Sequence, residues 1–215
     1  MSFLPSPHEL AWFSIAAIVL LLIPGPAVLY IVTRSVDQGR AAGLASAAGI
    51  ATGTLMHVLA ACVGLSALLL SSANAFSAVK YAGAAYLFYL GIKKFRERAR
   101  TGCDLHHVDP IPLRQVFAQG AIVNVLNPKA ALFFFAFLPQ FVSPVRGHVT
   151  LQFFTLGMIF AFMGWASDSM WALVAGSTAH WLRGDERFIR NERYVTGSVY
   201  LGLGLATALS GSKHK

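Results

Sequence analysis

LLLIPGPAVLYIV, residues 20–32, and VLNPKAALFFFAF, residues 125–137, are apolar runs, each interrupted by a helix-breaking triplet. The first triplet is Pro24-Gly25-Pro26 and the second Asn127-Pro128-Lys129, 103 residues further on (127 against 24). Proline removes a backbone donor and clashes with the preceding turn. In a bilayer the freed backbone groups need partners, so a broken helix survives only where protein or a watery cavity surrounds it. Two such breaks at matching places in two halves point to a transporter site at mid-membrane. A plain proline kink for packing is the simpler alternative.

The chain around them is apolar. Of its 215 residues, 56% are hydrophobic and 12% charged, half the charge of a typical soluble domain, and the mean hydropathy is +0.60. Residues 10–33 and 41–79 carry no Asp, Glu, Lys or Arg; 115–145 carry only Lys129, and 147–182 only Asp168. A spanning helix needs about 20 apolar residues. The fold predicted is all-α, a polytopic integral membrane protein with six transmembrane helices at about 9–32, 43–70, 76–95, 115–142, 151–180 and 194–211. The first run lacks the basic flank of a cleavable signal and reads as a retained helix.

The net charge of +8 lies in short loops between spans, which argues for no nucleic-acid partner and for a lipid bilayer. Three loops share twelve basic residues: Arg34 and Arg40; Lys93, Lys94, Arg96, Arg98, Arg100 and Arg114; Arg183, Arg187, Arg190 and Arg193. The other side has Lys80, Arg146, Lys213 and Lys215. The positive-inside rule places the basic loops in the cytoplasm and both termini outside it. Topology and anionic-lipid contact account for these charges.

The whole chain, 1–215, reads as a single transmembrane domain of two halves, about 1–100 and 113–215. With three spans each they enter the membrane in opposite senses, a 3+3 inverted repeat with helices 1 and 4 broken. Pro24-Gly25-Pro26-Ala27 aligns with Asn127-Pro128-Lys129-Ala130, and Gly83-x-x-Tyr86-Leu87 with Gly197-x-x-Tyr200-Leu201. Gly39, Gly43, Ala47, Gly49 and Gly53 let backbones approach closely, either within the monomer or across a possible homodimer face.

The chain resembles the LysE/RhtB family of amino-acid exporters. The likeness rests on Pro24-Gly25-Pro26, on NVLNPKAALFFFAFLPQFV from Asn124 to Val142, and on Gly83-Ala84-Ala85-Tyr86-Leu87 with Leu90-Gly91. It implies an inner-membrane exporter of amino acids or close derivatives, driven by the proton gradient, with no cofactor and no nucleotide-binding domain. Lysine and arginine exporters of the family tend to carry an acid in the second span. Here that span offers Thr52, Thr54 and His57, which favours neutral homoserine-, threonine- or leucine-like substrates.

Lys129 and Asp168 are the formally charged residues deep in the spans, where a charge costs at least about 2.5–3.5 kcal/mol. Each lies 15 residues from a flanking arginine, Arg114 or Arg183, so both stand about 22 Å from it and share a depth. They are read either as a structural ion pair or as a substrate-carboxylate site (Lys129) beside a proton relay (Asp168). The substrate-binding candidates are Pro24, Gly25, Pro26, Asn124, Asn127, Pro128 and Lys129. The breaks offer amide donors with positive dipole character, and Gly25 permits close backbone approach. Asn127 is assigned to freed backbone groups. Asp168 and His57 are the proton-coupling candidates, with plain packing the alternative for His57. Gln140 is a gate candidate, and Trp165 and Trp171, bracketing Asp168, candidate cavity walls. Cys103, Asp104, His106, His107 and Asp109 lack paired metal-ligand spacing, so no metal is expected. An intramembrane enzyme would need a dyad such as Lys129 with a serine, for which no motif exists. An uncoupled channel or scaffold is the remaining alternative.

Overall fold

The computed structural model describes residues 5–67 and 110–177, together with Ala78, Tyr81, Ala85, Tyr89 and Ile92. Among the described residues there are helices and no strands. The five isolated positions are helical and exposed. The rest of the predicted third span, the sixth span, the Gly83 and Gly197 motifs and the Cys103 cluster lie outside the described residues.

The first predicted span is two helices. Helix α1 (Pro7–Leu22) starts on a capping box in which Ser6 and Glu9 satisfy each other's backbone, the arrangement that closes orphan amide groups. Helix α2 (Pro26–Gln38) follows at a bend of 50°. It runs six residues beyond the predicted end of span one, because Gly39 alone turns the chain. Gly39 has φ 83° and ψ 179°, a backbone open in practice only to glycine.

Helix α3 (Arg40–Ala60) continues through a π-helical turn at Ala61–Leu65, giving a 26-residue apolar element. Helix α4 (Leu113–Val125) and the short α5 (Pro128–Leu132) form the second broken pair, bent by 46°. Helix α5 goes on as a π-helical turn over Phe133–Phe137 and a 3₁₀ turn over Leu138–Phe141. Helix α6 (Val149–Ser177) is 29 residues long, about 43 Å and more than enough to cross a hydrocarbon core of about 30 Å. By length and composition α3 and α6 each qualify as a span, and each bent pair qualifies as one.

The small-residue stripe packs inside the chain. A Cβ at Gly53 would stand 2.7 Å from the Ala121 carbonyl oxygen and 2.8 Å from Asn124 Cβ. One at Gly120 would stand 2.8 Å from the Ser46 carbonyl oxygen. Gly49 faces the Phe117 backbone, and Gly43 faces Ser35 and Ala172. Helices α3 and α4 therefore touch backbone to backbone, the use that membrane helices make of small residues. Ala47 joins Ile31, Ile50 and Ala172 in a buried cluster between α2, α3 and α6.

At the end of the bundle bearing Pro7, an aromatic layer closes the core. Phe13, Phe133, Phe134, Phe137 and Phe160 are buried together, with Phe133 and Phe160 stacked at 3.9 Å. Gln152, fully buried, holds the turn before α6 by donating to the carbonyls of Ser143 and Gly147 and accepting from the Ser143 amide.

Candidate functional site

The two breaks differ by one residue. Helix α1 ends at Leu22 and α4 at Val125, an offset of 103; α2 starts at Pro26 and α5 at Pro128, an offset of 102. The predicted alignment holds up to the break and slips within it. In both, the residue before the first proline closes the turn with a shorter bond: Ile23 N donates to the Leu20 carbonyl at 3.3 Å, and Asn127 N to the Asn124 carbonyl at 3.0 Å.

Each break then recruits a side chain from elsewhere. Pro128 cannot supply the amide that a continuous helix would send to the Asn124 carbonyl. His57 of α3 takes that place, with Nε2 at 3.0 Å from the oxygen. A carbonyl only accepts, so Nε2 carries the proton. The imidazole is stacked on Phe134 at 5.7 Å between centroids. At the first break, Lys129 Nζ donates to the Ile23 carbonyl at 2.6 Å. The cation of one broken pair thus ties down the open backbone of the other. Gly25 makes room for it: a Cβ there would meet Lys129 Cδ at 3.3 Å and Nζ at 3.7 Å. The close approach that Gly25 permits is that of the Lys129 stem.

Asn124 and Asn127 form a buried chain. Asn124 Nδ2 donates to the Ile50 carbonyl at 2.9 Å and to Thr54 Oγ1 at 2.8 Å. Asn127 Nδ2 donates to Asn124 Oδ1, and Asn127 Oδ1 accepts from the Lys129 amide at 3.0 Å. Asn127 is therefore the N-cap of α5, the backbone role expected of it. The start of α2 has no side-chain cap.

Between the breaks lies a cavity of about 50 Å³, lined by Gly25, Ala27 and Val28 of the first break, Thr54 of α3, Asn124, Asn127 and Lys129 of the second, and Phe160, Gly164 and Asp168 of α6. In the measure by which one water needs roughly 10–15 Å³, it has room for about three to five. Lys129 and Asp168 are 9% and 7% exposed, and both line this cavity. The shared depth inferred from helix rise is met in one cavity.

Of the predicted site residues, Gly25, Asn124, Asn127, Lys129 and Asp168 face this space, whereas Pro24, Pro26 and Pro128 shape the breaks and His57 lies behind them. Thr54, named in sequence only as part of the second span's polar set, lines the cavity as well. Trp165 and Trp171 are not among its walls. Trp165 is 47% exposed, and Trp171 packs on the α2 valines. The α6 wall is the stripe Phe160, Gly164 and Asp168, at intervals of four, which helical period brings to one face. Gln140 donates to the Ala136 carbonyl one turn back.

Comparison with known proteins agrees with this architecture. The chain is 31% identical over 205 residues to an uncharacterised membrane protein of Pseudomonas aeruginosa, covering 91% of this chain and 94% of the relative. It is 32% identical over 200 residues to the homoserine/homoserine lactone efflux protein of Salmonella typhimurium, covering 92% and 95%. It is 26% identical over 190 residues to the leucine efflux protein of Salmonella choleraesuis, covering 88% and 90%. No solved structure gives a significant match. The family model described as LysE type translocator matches residues 18–211, and the chain belongs to that family.

Proposed function

We propose that this chain is a secondary transporter that exports small neutral amino acids or their derivatives from the cytoplasm across the inner membrane by proton antiport. One observation carries the reading: two broken apolar helices turn their breaks to one cavity, and that cavity holds a buried lysine and a buried aspartate. A packing kink needs neither the second break nor the charges. Relatives named for homoserine and leucine efflux favour amino acids as cargo. The small volume favours compact side chains of the homoserine or threonine kind over leucine.

The substrate carboxylate sits against Lys129 Nζ and the uncapped amides at the start of α2, where the helix dipole adds to the attraction. Its ammonium group faces Asp168 and the Ile23 carbonyl that Lys129 gives up. Asp168 carries the coupling proton. Helix α5 offers no equivalent anion site, because Asn127 already fills it. The scaffold is a 3+3 inverted repeat of six spans, with repeats at about 1–100 and 113–215, basic loops in the cytoplasm and both termini outside. The similar bends of 50° and 46° support it.

The test is direct. Proteoliposomes loaded with labelled homoserine, threonine and leucine are given a pH gradient, and the escaping label is identified. Homoserine or threonine leaves faster than leucine, and Asp168→Asn abolishes gradient-driven efflux while still reaching the membrane. No movement of any amino acid under any gradient refutes export. Wild-type efflux from Asp168→Asn refutes the relay.

A further inference from the structure

Arg34 reads in sequence as a topology-setting surface charge. The structure buries it: it is 7% exposed. Its Nη1 donates to Gln38 Oε1 at 2.9 Å and its Nη2 to Gln119 Oε1 at 3.0 Å, while the guanidinium lies 5.8 Å from the Tyr30 ring centroid. Tyr30 Oη donates to the Val116 carbonyl at 2.8 Å, and Gln38 Nε2 to the Ile111 carbonyl at 2.9 Å. These bonds tie the Gly39 end of α2 to α4 and to the segment before it.

The partners are all neutral. Buried arginines are ordinarily paired with anions, as half-buried Arg146 is with Glu9 at 2.5 Å. Among the described residues, no carboxylate stands within ion-pair distance of Arg34. Five N–H donors in a planar fork suit a carboxylate better than two separate amide oxygens. The place is also informative. Ala27, Tyr30, Arg34 and Gln38 fall at intervals of three, four and four, one stripe of α2. Ala27 lines the cavity, so the stripe runs from the cavity to the Gly39 end, and Arg34 stands about 10 Å from Ala27 along it.

We infer that Arg34 is a second, carboxylate-binding station on the Gly39 side of the main cavity, held closed by Gln38 and Gln119 and taken by the carboxylate of an incoming amino acid when α2 parts from α4 at that end. This rests on the transport reading above. The carboxylate replaces two amide oxygens with a bidentate pair, then passes along the α2 stripe to Lys129. Tyr30 and Gln119 reclose the gap behind it.

The experiment measures labelled L-homoserine exchange in everted and right-side-out membrane vesicles, which present opposite faces of the protein. Arg34→Gln raises the KM at the Gly39 face about tenfold and changes the KM at the opposite face less than twofold. Arg34→Lys, which keeps the charge without the fork, recovers part of the loss. Gln119→Glu supplies a permanent internal carboxylate of almost the same shape. It raises the same KM, and it decides the matter if Arg34→Gln fails to reach the membrane. Equal rises at both faces, or no rise in any variant, overturn the station and leave Arg34 a clasp between helices. Wild-type vesicles that move neither homoserine nor threonine nor leucine overturn the transport reading itself, and the station with it.

Discussion

His57→Phe separates two readings of an intramembrane histidine. The structure makes it the donor that serves the Asn124 carbonyl in place of the amide missing at Pro128. Phenylalanine keeps an aromatic ring against Phe134 and removes only the N–H. Leaving a buried acceptor short of a partner costs about 1–3 kcal/mol. The Asn124 carbonyl still accepts from the Asn127 amide at 3.0 Å, which sets the cost near 1 kcal/mol. For a chain of this size that lowers the Tm by about 2–4 °C. The assay pairs thermal unfolding in detergent with efflux measured across pH 5 to 8. The Tm falls by that amount and the shape of the pH profile is unchanged. An unaltered Tm together with a flattened pH profile would refute the reasoning and return His57 to a proton path. His57→Gln, whose amide can reach the same oxygen, recovers the loss.

Other substitutions probe the packing and the breaks. Gly53→Ala drives a methyl into the Ala121 carbonyl oxygen and Asn124 Cβ, both within 2.8 Å; overpacking of this kind costs about 1–3 kcal/mol, seen as a lower Tm and less protein in the membrane. Gly39→Ala forces a side chain into a backbone reserved for glycine, again at about 1–3 kcal/mol, and Gly39→Asn, which tolerates the left-handed helical region but not this one, destabilises comparably. Gly25→Ala suits the backbone, because φ −133° is open to alanine, but its Cβ presses on the Lys129 stem at 3.3 Å. Hydrogen bonds to charged groups are worth about 1.5–3 kcal/mol, so partial loss of the Lys129–Ile23 bond lowers the Tm by a few degrees; an unchanged Tm contradicts the assigned role of Gly25.

The sequence made some of this readable for plain physical reasons. Proline has no amide hydrogen wherever it falls, so Pro24 and Pro128 announce their bends without tertiary information. Charges in long apolar runs are equally conspicuous, and helix rise sufficed to put Lys129 and Asp168 at one depth. The partner of Lys129 was not readable. It is the Ile23 carbonyl, and every residue has a carbonyl; only the bend leaves this one open. Arg34 was misread because two residues of sequence context place it beside a loop, whereas α2 in fact continues to Gln38 and carries it inside. The tryptophans misled through their proximity to Asp168. Helical spacing alone would have allowed either a place near that face, but Trp165 is turned outward and Trp171 is taken up by packing on the α2 valines.

The breaks are alike in bend and unlike in chemistry, and the difference has a direction. Asn127 spends its side chain on capping α5, so the second break is closed in itself and contributes a cation. The first break has glycine where the second has asparagine, so its helix start is left without a side-chain cap, and its open carbonyl is held by that same cation. A zwitterion placed between them meets amides and an ammonium at one end and a carbonyl and a carboxyl at the other. Under the proposed function its binding would release Lys129 from Ile23, and with it a direct bond between the two broken pairs. Substrate occupancy and freedom of one pair to move against the other would then be a single event. An alternating-access transporter needs that coupling to avoid opening when empty, and Lys129→Met would uncouple it, allowing conformational exchange without cargo.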